Sequence, residues 1–254
     1  MSAPVLYVSK EMKAALDAGF SAAFCAAPER YFSAPGRTEI GGNHTDHQQG
    51  RVLAAAVNLD MLAAVAFNDD GVIRMQSEGF RLCEVALKDL SVEERLYGTT
   101  LSLIRGMAAE LQKRGAKLRG FDAYVISDVL RGSGLSSSAA FEVLIGTIIN
   151  HLFYGKAKPV QIAQIGQYAE NVYFGKPCGL MDQVACAVGG FVAIDFADPT
   201  KPVIEKMDFD LTSHGYSLCI VSTGGNHADL NEDYASVPAE MKAAASHFGK
   251  PVLR

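Results

Sequence analysis

The feature that most constrains the fold is an apolar segment, 139–153, that directly follows a glycine- and serine-rich loop. The segment is apolar nearly all round a helix, and such a helix has to be buried on every side. The loop before it reads RGSGLSSSAA at 131–140, and an apolar stretch typical of a strand precedes it at 121–127. We therefore predict a strand, a polar loop and a buried helix in that order.

The rest of the chain predicts strands first, then helices, then strands again. This order favours an α+β fold over a regular βαβ alternation, and the run of short strands predicts a largely antiparallel sheet. The 254 residues allow one large domain, or one domain and part of a second. Periodicity and turn residues predict helices at 11–26, 101–111, 162–172 and 238–249, and further strands at 52–58, 61–67, 72–77, 82–87, 191–196, 203–207 and 217–222.

Composition excludes several function classes. A formal net charge of −5 and the lack of a long Lys/Arg run argue against a nucleic-acid partner. Apolar runs fall far below the roughly 20 residues that span a bilayer, and the first residues do not resemble a secretion signal, so no membrane partner is expected. The five cysteines are scattered with no CxxC pair, which indicates reduced thiols and predicts a cytoplasmic location.

The loop at 131–138 has the properties of a phosphate-binding site. Its glycines permit tight turns and close approach of a ligand, and its serines lie where helix N-caps lie. Free amides and the dipole at a helix start favour an anion. No lysine follows the last glycine, so this is not a Walker loop, and the dinucleotide fingerprint is incomplete. A serine-capped turn without a ligand is the alternative.

A second polar segment reads APGRTEIGGNHTDHQQG at 34–50. Closely spaced donors and acceptors suit a ligand with many hydroxyl groups, such as a sugar. Two other interpretations stay open. One is a solvated surface loop; the other is a metal site of His44, Asp46 and His47, although their spacing fits no standard ligand pattern.

A third segment reads AENVYFGKPCGLMDQ at 169–183. Helical spacing continues to about Phe174, and Gly175 is expected to end the helix. Asp182 follows in an apolar, glycine-containing loop, where a carboxylate is unusual. Taken alone, Asp182 could be a turn or capping residue and Glu170 a solvated helix residue.

Together, in order and spacing, the three segments resemble the galactokinase-type members of the GHMP kinases, although Leu130 stands where the phosphate motif of the family begins with proline. The resemblance implies the α+β GHMP architecture, with a mixed or antiparallel, ribosomal-protein-like N-terminal domain at 1–185. An incomplete ferredoxin-like C-terminal domain at 186–254 is expected. It also implies Mg²⁺ held by Ser137 and Glu170. The expected contacts of the ATP phosphates are Gly132, Ser133, Gly134, Leu135, Ser136, Ser137 and Ser138.

The segment at 34–50 resembles the galactokinase signature, usually GRVNLIGEHTDYNxG, and departs from it at Glu39, Asn43 and His47. The resemblance implies that Arg37 assists the reacting hydroxyl and phosphoryl groups, and that Asp182 is the base or orients the anomeric hydroxyl. Asn43 keeps an acceptor but loses the charge of the usual glutamate, so the identity of the sugar stays open. The implied sugar contacts are Asn43, His44, Asp46, Gly179 and Tyr234.

The resemblance implies an ATP-dependent sugar 1-kinase that converts galactose to galactose 1-phosphate. The alternatives are a kinase for another hexose or an N-acetylhexosamine, and a non-catalytic sugar sensor. A monomer is expected. The glycine-rich third motif of the family is not found, so we expect a missing C-terminal segment of the same protein and weak activity of this chain alone. Only Gly106 matches the family near the adenine, whose pocket is left unassigned.

Overall fold

The computed structural model describes residues 9–129, 132–221 and 231–254, with only the backbone for 231–235. It is a mixed α/β arrangement in which a seven-stranded sheet carries helices on both faces. The helices are α1 (Lys10–Phe24), α2 (Thr100–Lys113), α3 (Ser137–Ile149), α4 (Pro159–Tyr168), α5 (Met181–Val188) and α6 (Asn231–His247). The strands are β1 (Arg30–Gly41), β2 (Arg51–Phe67), β3 (Val72–Ser77), β4 (Cys83–Ala86), β5 (Phe121–Ser127), β6 (Phe191–Asp195) and β7 (Val203–Met207).

Strand β2 is the longest strand and pairs with three others. Its first half pairs with β6, its second half pairs with β5, and β1 pairs along most of its length. The prediction of two separate strands at 52–58 and 61–67 is wrong. Asn58 and Asp60 interrupt the apolar pattern, but the backbone stays extended because Asp60 remains paired with Pro35 of β1.

The strand order β4-β3-β5-β2-β6-β7 combines one parallel pairing, β3 with β5, with antiparallel pairings elsewhere among the described strands. This confirms the α+β class and the largely antiparallel sheet. The predicted strand at 217–222 is wrong for the described residues 217–221. Leu218, Ile220 and Val221 are exposed there, and none of the described strands offers the segment a hydrogen-bonded neighbour. Residue 222 lies outside the described residues.

Helix α3 is buried as predicted, because its apolar side chains face the sheet on one side and α2, α4 and α5 on the others. Leu144, Ile145, Ile148 and Ile149 have no exposed surface. Burying each side chain of this size contributes about 1.5–3 kcal/mol. The opposite face of the sheet is covered by α1, whose Leu16 and Phe20 are fully buried there.

Helix α6 begins at residue 231, earlier than the predicted 238, so Pro238 lies inside it and not in its first turn. After α6 the chain returns to the 34–50 segment. The amide of Leu253 donates to Gln48 Oε1 at 3.1 Å, and Arg254 pairs with Asp195 at the end of β6 at 2.5 Å. This contact anchors the turn at Asp46–Gln48, which precedes β2.

The predicted domain boundary at residue 186 falls within α5, and β6 beyond it lies in the same sheet as β2. The division into domains at 1–185 and 186–254 stays a prediction. All five cysteines are free of disulfides. Within the described parts of the chain, no helix combines the length and the apolar character that crossing a membrane requires.

Gly106 lets α2 approach the segment that carries Glu170. A Cβ at position 106 would lie 2.7 Å from Ala169 Cβ and 3.0 Å from its Cα, and neither atom can rotate away. Helix propensity favours Gly106→Ala by about 1 kcal/mol, but overpacking costs about 1–3 kcal/mol or more. We expect a net loss of stability in chemical denaturation. Gly41→Ala is the matched control, since its Cβ would meet nothing within 4 Å; equal stability of both variants would contradict this packing.

Candidate functional site

An ion pair between Arg37 of β1 and Asp182 of α5 lies at the centre of the site. Arg37 Nε donates to Asp182 Oδ1 at 2.8 Å and Nη2 donates to Oδ2 at 2.7 Å, a two-pronged arrangement that only a guanidinium makes. Arg37 Nη1 also donates to the carbonyl of Gly134 at 2.6 Å. The pair therefore joins the first strand, the glycine–serine loop and the start of α5.

Asp182 was predicted in a loop, and this is wrong: it lies in the first turn of α5. The helix starts at Met181 because Met181, Val184 and Ala185 recur at helical spacing and pack into a buried cluster. Burial by itself would raise the pKa of the Asp182 carboxyl. The charge and hydrogen bonds of Arg37, with a hydrogen bond from Ser136, outweigh burial and hold that pKa below its usual range.

The glycine–serine loop connects this ion pair to α3. Gly132 and Gly134 have left-handed backbone conformations, and so does Ser136, with φ 54° and ψ 60°. A non-glycine residue in that region costs about 1–3 kcal/mol. Ser136 holds the N-cap position, but its hydroxyl donates to Asp182 and does not cap the helix. The expected serine cap is therefore replaced by a contact with the carboxylate.

The turn that follows β1 lies against the segment before α5. A Cβ at Gly179 would fall 1.6 Å from Asp46 Oδ2, so only glycine allows this approach. Asp46 also accepts a hydrogen bond from the amide of His47 at 2.9 Å. His44, with φ 59°, lies in the same turn with its ring 5.7 Å from that of His47. The sugar contacts expected at Asp46 and Gly179 are thus adjacent.

Behind the ion pair lies a buried group of three polar side chains. Gln183 Nε2 donates to Glu142 Oε2 of α3 and to Glu170 Oε2, each at 3.0 Å. All three residues are almost fully buried. Burial, followed by the charge of Glu170, raises the pKa of Glu142 well above its usual value. Gln183 therefore bridges two carboxyl groups directly beside Asp182.

Glu170 lies in a wide turn, Ala169–Phe174, that continues α4 and ends at the left-handed Gly175, as predicted. Its Oε1 lies 3.5 Å from Lys176 Nζ. Its carboxylate and the hydroxyl of Ser137 are the hard oxygen donors that Mg²⁺ prefers. No cluster of three His, Cys, Asp or Glu residues in the described segments could hold a metal alone. By donor type, both residues would suit a Mg²⁺ ion held by one or two protein oxygens and phosphate groups.

A cavity of about 580 Å³ opens beside the loop. Ser137 and Ser138 at the start of α3 form one wall, and the others are mostly apolar, including Met75, Phe141 and Phe174. Its size lies within the range of small-molecule sites, roughly 300–1,000 Å³. The loop therefore separates an apolar cavity, lined by Ser137, from a polar centre that Ser136 contacts.

Two family models match this chain. "GHMP kinases N terminal domain" matches residues 102–190, and "Galactokinase galactose-binding signature" matches residues 18–67. The chain therefore carries the N-terminal domain of the GHMP kinases together with the galactose-binding signature of the galactokinases.

Among the curated members of this family, the galactokinase of Streptomyces coelicolor is 33% identical over 238 residues, which are 92% of this chain and 61% of that protein. The galactokinase of Bacillus subtilis is 36% identical over 164 residues, 63% of this chain and 42% of that protein. The chain thus spans about half of the length of these relatives.

Among solved structures, a galactokinase of Lactococcus lactis complexed with galactose has a TM-score of 0.77 at 24% identity, over 93% of this chain and 61% of that one. A mevalonate kinase of Methanococcus jannaschii has a TM-score of 0.59 at 16% identity, over 72% and 57%. These likenesses confirm the GHMP kinase fold. The ferredoxin-like C-terminal domain stays a prediction.

The structure pairs Arg37 with Asp182 and places Asp46 against Gly179. Glu170 bonds to Gln183, which follows Asp182 directly in α5. Asn43 is exposed in the turn before Asp46. For Tyr234 only the backbone, within α6, is described, so its predicted contact with the sugar lies outside the described side chains. Leu130 and Arg131 lie outside the described residues altogether. The roles of these residues stay predictions.

Glu142 and Gln183 were missed by the sequence analysis. The sequence signal for Glu142 was a single charged residue within an apolar run, and Gln183 directly follows Asp182. Helix periodicity places Glu142 on α3, but only the tertiary structure shows that it meets Gln183, 41 positions later. Ser136 was expected to contact phosphate, and its bond to Asp182 had no signal in the sequence.

The raised pKa of Glu142 predicts a pH-dependent stability that Glu142→Gln removes. A carboxyl whose pKa is raised on folding stabilises the fold below its unfolded pKa, about 4.3, and loses this contribution as the pH rises through the folded value. The unfolding free energy of Glu142→Gln relative to the wild type should therefore increase as the pH rises above about 4.3.

Denaturant titrations in EDTA measure this difference, and the exposed Glu205→Gln is the control, expected to stay within about 0.5 kcal/mol of the wild type. Parallel pH profiles for the wild type and Glu142→Gln would show that Glu142 is not protonated on folding.

Proposed function

We propose that this protein transfers the γ-phosphoryl group of ATP to the anomeric hydroxyl of a hexose, with galactose as the first candidate. The observation that carries the proposal is the Arg37–Asp182 pair, which lies between the glycine–serine loop and the turn at Asp46. The galactose-binding signature over 18–67 and the galactokinase relatives support the choice of sugar.

In this reaction Asp182 orients the anomeric hydroxyl or accepts its proton. Its low pKa keeps the carboxylate charged, and the two hydrogen bonds from Arg37 fix the orientation of the carboxylate. Phosphoryl transfer through a loose transition state requires mainly positioning and charge neutralisation, so an orienting carboxylate can suffice. The guanidinium of Arg37 lies beside the loop and can also neutralise charge on the transferred group.

ATP is proposed to bind with its phosphates at Gly132–Ser138 and its adenine in the 580 Å³ cavity. The amides at the start of α3 and its dipole favour the phosphates, since Ser136 directs its hydroxyl to Asp182 and does not cap the helix. The apolar walls of the cavity suit a flat aromatic base. Ser137 lines the cavity and also begins α3, so in this arrangement it would lie between the adenine and the phosphates.

Glu170 and Ser137 are proposed to hold the Mg²⁺ that accompanies ATP. When bound, the ion neutralises charge on the phosphate oxygens. Gln183 holds the carboxylate of Glu170 from behind, so that the Glu170 side chain is fixed by protein contacts.

A kinase for another hexose or an N-acetylhexosamine is the second candidate. Asn43 is exposed in the turn before Asp46 and lacks the negative charge of the glutamate usual at this position. A panel of hexoses and N-acetylhexosamines tested for ADP formation separates the two. The predicted monomer, cytoplasmic location and C-terminal segment stay predictions.

Asp182→Asn in the intact protein should lower kcat by about 10²–10⁴-fold, the usual contribution of a general base, while sugar affinity changes much less. The amide keeps the shape but loses the charge that attracts the proton. Arg37→Lys should also lower kcat, because an ammonium group cannot reproduce the planar, two-pronged geometry of the guanidinium. Steady-state kinetics with the exposed Asp198→Asn as control check this. A kcat within about threefold of wild type, with weaker sugar binding, would make Asp182 a sugar ligand only.

Glu170→Ala should raise the Mg²⁺ concentration needed for half-maximal turnover and lower turnover by about 10²-fold or more. The expected cause is loss of a carboxylate ligand. Titration of Mg²⁺ at fixed ATP measures the effect, with Glu205→Ala as control, and calorimetric titration of Mg–ATP provides a readout independent of activity. An unchanged Mg²⁺ dependence would remove Glu170 from the metal site.

A further inference from the structure

We propose that Glu39 is a sugar-recognition residue whose carboxylate accepts a hydrogen bond from a hydroxyl group of the bound hexose. The inference rests on the proposed function and adds a contact that the predicted site did not contain. It depends on the position of Glu39 on β1, on a buried oxygen atom of its side chain and on the charges around it.

Strand geometry places Glu39 beside Arg37. Residues 37, 38 and 39 pair in regular register with Ala56, Ala55 and Ala54 of β2. Side chains two positions apart on a strand lie on the same face. Since Arg37 extends from that face to Asp182, Glu39 also lies on the side of the reacting groups. It belongs to a paired strand, so its backbone is held more firmly than that of the neighbouring turn.

The carboxylate of Glu39 has a hydrogen-bonding position to fill. Its Oε1 is buried and makes no hydrogen bond within the described part of the chain. Leaving a buried acceptor without a donor costs about 1–3 kcal/mol, and more for a charged group. Such atoms in native proteins call for an explanation, and a ligand that supplies the donor is one. A hexose provides several hydroxyl donors.

The surroundings of Glu39 are those of the proposed sugar site. The charges that act on it most are those of Arg37, Asp182, Asp46 and His44. Burial raises its pKa, Arg37 and His44 oppose the rise, and Asp182 and Asp46 add to it. The positive and negative charges around Glu39 therefore partly cancel, which leaves its carboxylate available to a neutral donor such as a hydroxyl group.

The distribution of acidic residues in this segment differs from that of the usual galactokinase signature. This chain has a carboxylate at position 39, on the strand, and an amide at the exposed position 43, in the turn. An acidic acceptor on the strand lies deeper than one in the turn. We therefore expect Glu39 to contribute to the choice of sugar and not only to hold Arg37.

The test combines Glu39→Gln with a series of hexoses that each lack one hydroxyl group, in the intact protein. For each deoxy-galactose the loss in kcat/KM and in calorimetric affinity is compared between wild type and variant. We expect one deoxy sugar to lose about tenfold or more with the wild type. With Glu39→Gln the same sugar should lose about threefold less than with the wild type, because the amide oxygen still accepts a hydrogen bond but carries no charge. The other deoxy sugars should lose equally with both proteins.

Glu205→Gln serves as the control and should show wild-type losses throughout, and thermal unfolding of each variant establishes that it folds. Glu39→Ala repeats the comparison if Glu39→Gln fails to fold. If the losses are the same in wild type and variant for every deoxy sugar, Glu39 does not recognise a hydroxyl group, although the kinase proposal stands. If no hexose binds or yields ADP with the wild type, the proposed function fails as well.

Discussion

The ion pair between Arg37 and Asp182 is the interaction on which the geometry of the whole site depends. Three segments far apart in the chain meet at it: β1, the loop before α3, and the start of α5. The guanidinium is largely buried while the carboxylate is 33% exposed, so desolvation offsets part of their attraction. Removing one partner would leave the other charge uncompensated, at a cost below the roughly 3–5 kcal/mol of a fully buried pair because water screens the exposed carboxylate. The pair thus fixes position more than it adds stability.

At several positions of the site the backbone geometry accepts only glycine, and the segments that contain these positions were the ones predicted from the sequence. Gly179 leaves room for the carboxylate of Asp46, and Gly132 and Gly134 allow left-handed turns. A motif whose backbone geometry excludes other residues is visible in the sequence without a structure. The same holds for the buried α3, whose apolar side chains leave no solvated face. Glycine and apolar positions therefore carried most of what could be predicted about the fold.

What could not be predicted depends on contacts between distant residues. Two separate strands were predicted at 52–58 and 61–67, but pairing with β1 keeps β2 continuous. Strand β1 was not predicted, since it carries a polar motif. The position of Asp182 in a helix was not predicted either, since Asp182 closely follows a glycine. The bridge from Glu142 through Gln183 to Glu170 joins three helical segments, and no local pattern encodes such a bridge.

The arrangement of charges explains why one carboxylate of the site is bound by protein groups while another is left for a ligand. Asp182, Glu39 and Asp46 bring negative charge close together, while Arg37 is the cation bonded to Asp182. Like charges at close range disfavour each other's ionised form, yet the pKa of Asp182 stays low because two guanidinium hydrogen bonds and Ser136 act on it. None of the described residues gives Glu39 comparable hydrogen bonds, and its pKa is raised. One carboxylate is therefore held charged by the protein, while the other gains most from a hydrogen bond that a ligand supplies. In the proposed reaction the first acts on the anomeric hydroxyl, and the second helps to select the sugar that carries it.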